Sequence, residues 1–357
     1  MRTVFLSFCL TWLPFSANAS FVTSAELPDL VEKVLPGVVN VSTVTVMNTR
    51  VQGWEDFMQF WGMPQERKQT SLGSGFFIDK DGYVLTNYHV IAQATEVQVT
   101  LKDKRNFRAK IIGKDPKMDI ALLQVRDDKK QVPEVQPVSL GDSNKVRIAE
   151  GVFAVGNPFG LQHTVTVGIV SAKNRTIGVG PFDNFLQTDA SINPGNSGGP
   201  LFDMKGEVIG INTLIFSRTM QSAGLGFAIP INEAKDILSD LKRYGRVPRP
   251  WLGVLTEQVT PALQHYYQLP IGYGIVIYNL VDGGPADDAG LKQGDIITEV
   301  DGTKTEDQTA VEKMLFKHKP TETLTLKIHR GRKILTQKIK LEEIPSRIEE
   351  RLPQGVI

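Results

Sequence analysis

The stretch Asp189-Ala-Ser-Ile-Asn-Pro-Gly-Asn-Ser-Gly-Gly-Pro200 decides the fold and the chemistry of this chain. Three glycines lie within two residues of Ser197, so bulky side chains stay away from its hydroxyl. An acyl-transfer nucleophile needs such an open oxygen, and backbone N–H groups that converge on the developing oxyanion. Because Pro194 has no N–H, the predicted donors are the amides of Gly195 and Ser197. A Gly-rich surface turn is the alternative interpretation.

A serine hydroxyl is a weak nucleophile until a base takes its proton, and His89 is the predicted base. It ends a β-rich segment that an Asp81-Gly82 turn opens. His163 follows a turn and is the weaker candidate, and the other three of the five histidines fall in a predicted second domain. An ordinary half-buried histidine is the alternative for His89.

Asp119 is the predicted partner of the base, because it opens an apolar run typical of a buried strand. A carboxylate there must be held by hydrogen bonds, and it would orient the imidazole. Its rivals do not lead directly into such a run; they are Asp103, Asp115, Asp142 and Asp189. The chain order His, Asp, Ser is the chymotrypsin order, which predicts a mainly β fold with a double β-barrel.

Three stretches resemble the HtrA (Deg) family of extracytoplasmic serine proteases: Thr86-Asn-Tyr-His-Val-Ile91, Asp119-Ile-Ala-Leu-Leu123 and the segment from Asn184 to Pro200. The resemblance implies a chymotrypsin-like protease domain followed by one or two PDZ domains, usually assembled as trimers. It also implies that residues 173–184 sense the PDZ domain. Some relatives carry an arginine before Asn-Phe-Leu-Gln, whereas this chain has Phe182-Asp183, which leaves that relay residue open.

A second domain follows a predicted helix over residues 230–245, with Asn232 as its cap and Gly245 as its stop. Trp251-Leu-Gly-Val254 matches the carboxylate-binding loop of HtrA PDZ domains, which holds a C-terminal peptide as an added strand. This resemblance predicts one α+β PDZ domain, with peptide contacts from Trp251, Leu252, Gly253 and Val254. The predicted divisions are a signal peptide over 1–19, the protease over 20–247, the PDZ domain over 251–345 and a tail over 346–357.

Residues 1–19 have the basic start, short apolar core and Ala17-Asn18-Ala19 site of a cleaved secretory signal. Cleavage predicts a periplasmic protein, and an uncleaved inner-membrane anchor facing the periplasm is the alternative. Lys and Arg total 40 against 39 Asp and Glu, so no nucleic-acid partner is implied. The histidines lack zinc-protease spacing, so we expect neither a metal nor an organic cofactor.

The specificity pocket is predicted from the chymotrypsin pattern, in which the residue six before the nucleophile lines its base. That residue is Ser191, followed by Ile192, and the family resemblance places Leu214 in another wall. Without an acidic group there, we expect cleavage after small or medium aliphatic residues. Barrel core is the alternative for Ile192 and Leu214.

An aromatic segment over residues 51–69 interrupts the first barrel, which Leu72 is predicted to resume. Its large side chains are costly to leave in water, so it packs on the barrel or meets another subunit; they are Trp54, Phe57, Phe60 and Trp61.

The predicted function is ATP-independent endopeptidase cleavage of unfolded or damaged proteins through an acyl-enzyme. The protein would be a homotrimer whose PDZ domain binds C-terminal peptides that regulate turnover. Two alternatives stay open: a regulatory protease that cuts one stress-signalling substrate, and a chaperone or PDZ peptide-binding protein.

Overall fold

The computed structural model describes residues 26–47, 67–127, 131–157, 163–178, 182–193, 195–215, 224–305, 307–345 and 357. The predicted signal peptide, residues 51–66 of the aromatic segment and nearly all of the predicted tail lie outside the described residues. No helix within the described ranges is long and apolar enough to cross a bilayer.

Six antiparallel strands close the first barrel in the order β1-β2-β3-β6-β5-β4, with β1 also paired to β4. The period-2 pattern of β4 turns Val97 and Val99 inward and leaves Gln98 outside. β2 begins at Arg67, so the barrel resumes earlier than the predicted Leu72. The strands are β1 (Val38–Met47), β2 (Arg67–Phe77), β3 (Tyr83–Thr86), β4 (Glu96–Thr100), β5 (Asn106–Asp115) and β6 (Ile120–Val125).

A second barrel follows, in the order β11-β8-β9-β10-β13-β12, and closes through pairing of β11 with β12. β7 adds to β12 in parallel. The two barrels together are the chymotrypsin-like fold that the order of the predicted triad implies. The strands are β7 (Ser139–Leu140), β8 (Gly151–Gly156), β9 (Thr164–Arg175), β10 (Phe185–Thr188), β11 (Pro200–Asp203), β12 (Glu207–Ile215) and β13 (Gly226–Pro230).

One apolar cluster joins the two barrels and two helices, α1 (Leu27–Val34) and α3 (Ile231–Tyr244). Between them in sequence, the single helical turn α2 (Tyr88–Ile91) follows β3. α3 ends at Gly245 with φ of +73°, which confirms the predicted stop. The predicted cap Asn232 is wrong, because the helix begins one residue earlier. Instead, the Asn232 side chain donates to Asp142 Oδ1 at 2.7 Å and ties the helix to the loop before β8.

The second domain, the predicted PDZ domain, is a six-stranded sheet: five strands follow the order β15-β16-β17-β19-β20, with β15 at one edge, and the short β18 pairs with β17. A separate two-stranded pair, β14 with β21, joins the start of the domain to its end. Its strands are β14 (Pro250–Trp251), β15 (Val254–Gln258), β16 (Ile275–Leu280), β17 (Ile296–Val300), β18 (Thr303–Lys304), β19 (Thr323–Arg330), β20 (Lys333–Lys340) and β21 (Glu342–Glu343). Its helices are α4 (Pro261–Tyr267), α5 (Pro285–Asp288) and α6 (Gln308–Leu315).

The linker residue Arg249 connects the two domains through a buried ion pair. Its guanidinium donates to both carboxylate oxygens of Asp115, whose side chain is fully buried at the end of β5. Truncating one partner of such a pair leaves an uncompensated buried charge, so the pair ties the linker before the second domain to the end of β5.

Candidate active site

His89 and Asp119 lie against each other at the rim of the first barrel. His89 is on α2, and its Nδ1 lies 2.7 Å from Asp119 Oδ2. The backbone N–H of His89 also donates to Asp119 Oδ1 at 2.8 Å, so each carboxylate oxygen holds the histidine. This arrangement fixes both the direction of the ring and the nitrogen that carries the proton.

The backbone around Asp119 explains why its carboxylate points at the histidine. Asp119 has φ of +55°, an uncommon conformation that Asp tolerates better than most residues. Its carbonyl oxygen accepts from the Asn87 side chain at 2.9 Å and from the Tyr88 N–H at 3.1 Å. The strand that follows, β6, is buried on both faces, with Ile120 and Leu122 toward one cluster and neighbouring residues toward the other.

Thr213, on β12 of the second barrel, connects the carboxylate to Ser197. Its hydroxyl donates to Asp119 Oδ2 at 2.7 Å, and its carbonyl oxygen accepts from Ser197 Oγ at 3.3 Å. In the part of the chain that the structure describes, no hydrogen bond joins Ser197 Oγ to His89. A change of the serine χ1 rotamer redirects the hydroxyl, and catalytic hydrogen bonds commonly tighten only when substrate binds.

The glycines after Ser197 allow close packing of the backbone, across the barrel interface at Gly198 and within the second barrel at Gly199. A Cβ on Gly198 would lie 2.3 Å from both Ser74 O and Thr86 Oγ1, and one on Gly199 would lie 2.3 Å from Val155 O. The motif therefore carries glycine for close packing of the backbone, a reason that the sequence alone does not reveal.

Ser74, on β2, supports the loop that carries the predicted oxyanion donors. Its hydroxyl donates to Gly195 O at 2.6 Å and accepts from Asn157 N at 2.8 Å, while its N–H donates to Ser197 O at 2.8 Å. Within the described residues, the N–H groups of Gly195 and Ser197 donate to no acceptor. Their role as oxyanion donors stays a prediction. Ser74 and Thr213 were not found from the sequence.

Comparisons with known proteins agree with this geometry. A trypsin-like peptidase domain model matches residues 73–211, and a PDZ domain model matches residues 250–341. The probable periplasmic serine endoprotease DegP-like of Marinomonas sp. (strain MWYL1) is 39% identical over an alignment of 374 residues, gaps included, that covers 97% of this chain and 78% of that protein. The chain belongs to the HtrA family.

Two further relatives support the same assignment. The probable periplasmic serine endoprotease DegP-like of Hahella chejuensis (strain KCTC 2396) is 39% identical over an alignment of 356 residues, gaps included, that covers 94% of this chain and 74% of that protein. A solved structure, a variant of the HtrA-type protease AlgW with a decapeptide, has a TM-score of 0.77 at 34% identity. It covers 89% of this chain, and the match spans 97% of that one. This HtrA-family chain is a serine endopeptidase, which confirms the predicted fold, family and enzyme class.

Of the two predicted specificity residues of this HtrA protein, one lies in the core, and the structure describes only the backbone of the other. Ile192 is 1% exposed and packs in the core of the second barrel, where a Cβ on Gly226 would lie 2.7 Å from its Cγ1. The Leu214 backbone pairs with Phe227 in the β12–β13 ladder, and the structure describes only the backbone of Leu214. The pocket role of both residues stays a prediction.

The weaker sequence candidates lie in other interactions. His163 Nε2 lies 3.0 Å from Val38 O, and burial lowers the pKa of its imidazole. Asp189 accepts from the Ile169 N–H at 2.7 Å. Asp115 and Asp142 bind Arg249 and Asn232, as described above.

The predicted carboxylate-binding loop of the PDZ domain presents its amides to one oxygen. The N–H groups of Leu252, Gly253 and Val254 point at the backbone oxygen of Ile357, at 3.1, 2.8 and 3.4 Å. Gly253 has φ of +77°, the kind of conformation that lets successive amides converge on an acceptor. Trp251 is buried beside the loop. The loop therefore has the donor geometry that a peptide terminus requires.

Proposed function

We propose that this serine endopeptidase works through Ser197 as nucleophile, His89 as general base and Asp119 as the residue that orients the base. The observation that carries this assignment is the double hold of Asp119 on His89, with Thr213 linking the carboxylate to Ser197. Among the described histidines, His318 also contacts a carboxylate, that of Asp301, but no part of the Gly-flanked serine motif lies beside it.

The chemistry follows from these positions. When Ser197 turns toward His89 Nε2, the imidazole takes the hydroxyl proton as Oγ attacks the scissile carbonyl carbon. The amides of Gly195 and Ser197 bind the resulting oxyanion, and Asp119 stabilises the imidazolium. His89 then returns the proton to the leaving amine, and a water molecule, activated by the same base, hydrolyses the acyl-enzyme and frees Ser197.

We infer that peptides bound at the PDZ domain change turnover through a contact between the two domains. Phe182 stacks on Phe316, just after α6, with ring centroids 5.0 Å apart. The Arg249 guanidinium lies 4.6 Å from the Phe182 centroid, and Lys117 Nζ lies 4.6 Å from that of Phe316. Phe182 belongs to the segment that leads into β10, and the strand is followed by the Ser197 loop. We propose that Phe182 acts in the place in which the family resemblance puts a relay arginine.

The substrates that fit this proposal are unfolded or damaged polypeptides, cleaved without ATP after small or medium aliphatic residues. The proposed location is the periplasm, supported by the secretory features of residues 1–19 and by the relatives' names. A homotrimer is proposed from the family resemblance, and sedimentation of the purified protein tests it.

Comparison of the intact protein with Ser197→Ala tests the nucleophile. The intact protein should digest casein and react with a fluorophosphonate probe, and the variant should lose both activities. Ser139→Ala, at an exposed serine on β7, is the matched control and should retain both. Labelling of the Ser197→Ala protein would contradict the assignment.

A further inference from the structure

The peptide groove of the PDZ domain is occupied by a residue of the same chain. Ile357 N–H donates to Val254 O at 3.0 Å, while Val254 N–H points back to Ile357 O. Two residues that exchange both bonds form a hydrogen-bonded pair of antiparallel strands. Ile357 therefore extends the sheet at β15, the edge at which PDZ domains take peptides.

The Ile357 side chain is buried as deeply as a core residue. It is 3% exposed and belongs to the apolar cluster that includes Leu252, Val254, Val311 and Leu315. Two of these residues come from α6, which packs along β15. The groove thus supplies an aliphatic pocket and the N–H groups of residues 252–254. Ile357 fills the pocket with its side chain and accepts from these N–H groups with its backbone oxygen.

The geometry of the domain favours binding within one chain. Glu342 pairs with Trp251, so the polypeptide leaves the PDZ domain next to the strand that leads into the groove. From Trp251 to Val254 is roughly 10 Å at the rise of an extended strand. The intervening residues 344–356 can span on the order of 40 Å, which is ample. A tether of this length gives an effective concentration of about 1 mM at the groove.

We propose that Ile357 is the resident ligand of the PDZ groove of its own chain, and that an outside peptide with an aliphatic end binds only by displacing it. This occupancy rests on the peptide-binding role proposed for the domain and is independent of the protease chemistry. Because the groove is free only in the fraction of molecules in which Ile357 has left, the apparent affinity for outside peptides is reduced by that fraction.

The first test measures groove occupancy without any added peptide. All proteins carry Ser197→Ala, so that cleavage cannot contribute. We expect amide hydrogen exchange at residues 252–254 to be at least about tenfold faster in Ile357→Asp than in the parent. Ile334→Asp, at an isoleucine on β20 that is 58% exposed, is the matched control and should exchange like the parent. Equal exchange in the parent and in Ile357→Asp would overturn the occupancy.

The second test measures competition, by fluorescence anisotropy of a labelled peptide that ends in Gly-Val-Ile. The peptide should bind Ile357→Asp at least about tenfold more tightly than it binds the parent or Ile334→Asp. Equal dissociation constants for all three proteins would overturn displacement. Casein digestion by the matching proteins with Ser197 intact reports on the proposed protease function separately.

A third measurement distinguishes the chain's own residue from that of a second copy. Isotope-labelled parent chains and an excess of separately expressed, unlabelled Ile357→Asp chains are unfolded, mixed and refolded together, and exchange is followed in the labelled chains alone. Binding within one chain predicts unchanged protection at residues 252–254. Loss of protection in proportion to the excess would show that a second copy donates Ile357, and would overturn the inference.

Discussion

At the scale of single residues, Thr213 is the residue that links Asp119 in the first barrel to Ser197 in the second. Its hydroxyl donates to the Asp119 carboxylate and its carbonyl oxygen receives the Ser197 hydroxyl. A hydrogen bond to a charged group is worth about 1.5–3 kcal/mol. We therefore expect Thr213→Val to lower kcat by roughly ten- to a hundredfold with little change in KM, in steady-state cleavage of a peptide. Thr305→Val, at a buried threonine whose hydroxyl has no partner among the described residues, should leave kcat unchanged.

Gly198 allows a second prediction at this scale, which separates steric clash from backbone strain. Gly198→Ala would place a Cβ 2.3 Å from Ser74 O at a φ of +83°. Gly178 has the same φ with no atom within 4 Å of its would-be Cβ, so Gly178→Ala carries the strain alone, about 1–2 kcal/mol. We expect Gly198→Ala to lower the free energy of unfolding by at least about 2 kcal/mol more than Gly178→Ala, in denaturant titrations. Equal losses would show that the loop moves aside.

The residues that sequence predicts well are those whose neighbours in the chain reveal their chemistry. His89, Asp119 and Ser197 each lie in a local pattern, and the structure brings the first two into direct contact. Thr213 and Ser74 act through bonds to residues far away in the chain, and nothing beside them in sequence indicates those bonds. Ile357 is likewise not predictable from its neighbours in sequence, because its role depends on the groove that encloses it.

At the scale of elements, the first turn of α3 holds a carboxyl group that titrates near neutral pH. Burial raises the pKa of Glu233 to about 7, with a smaller rise from Asp236, against the opposing hydrogen bond from Asn184 at 2.6 Å. At this carboxyl group, the folded protein therefore binds more protons than the unfolded chain between about pH 4.5 and 7. The contribution of Glu233 to the free energy of unfolding consequently falls as pH rises through this window, by up to about 3 kcal/mol.

Glu233→Gln should remove that contribution, because a glutamine keeps an oxygen for Asn184 and carries no charge. The measurement is urea unfolding of the variant and the parent at intervals from pH 4.5 to 7. Asp240→Asn, on the same helix, should preserve the slope of the parent. A parent protein whose stability rises between pH 5 and 7, with the same rise in Glu233→Gln, would contradict the assignment to this carboxyl group.

Element boundaries show where sequence patterns succeed and where they fail. Gly245 ends α3 as predicted, because its positive φ is a local requirement of the chain. Asn232 does not cap the helix, because its side chain binds Asp142, a long-range partner that competes with the local cap. β2 begins at Arg67 and not at the predicted Leu72, because its pairing with β1 continues as far as Met47. The length of this ladder depends on both strands, so the sequence around Leu72 alone does not predict it.

At the scale of the whole molecule, the two domains meet through a small group of rings and charges around Phe316. Phe182 stacks on it, and Arg249 lies against both rings while it binds the buried Asp115. A peptide that shifts α6 would thereby displace the segment that leads into β10. A stacked aromatic pair is worth about 0.5–1.5 kcal/mol, which corresponds to a coupling of roughly two- to tenfold between peptide binding and turnover.

Phe316→Ala should remove this coupling while the groove still binds. We expect the ratio of peptide-stimulated to basal turnover to fall by roughly two- to tenfold, with an unchanged dissociation constant for the peptide. Tyr266→Ala, at an aromatic residue on α4 that is 79% exposed, should retain the ratio of the parent. Stimulation that survives in Phe316→Ala would show that the domains communicate elsewhere. Because the Arg249 pair still joins the domains in this variant, a loss of stimulation reports on the ring contact and not on separation of the domains.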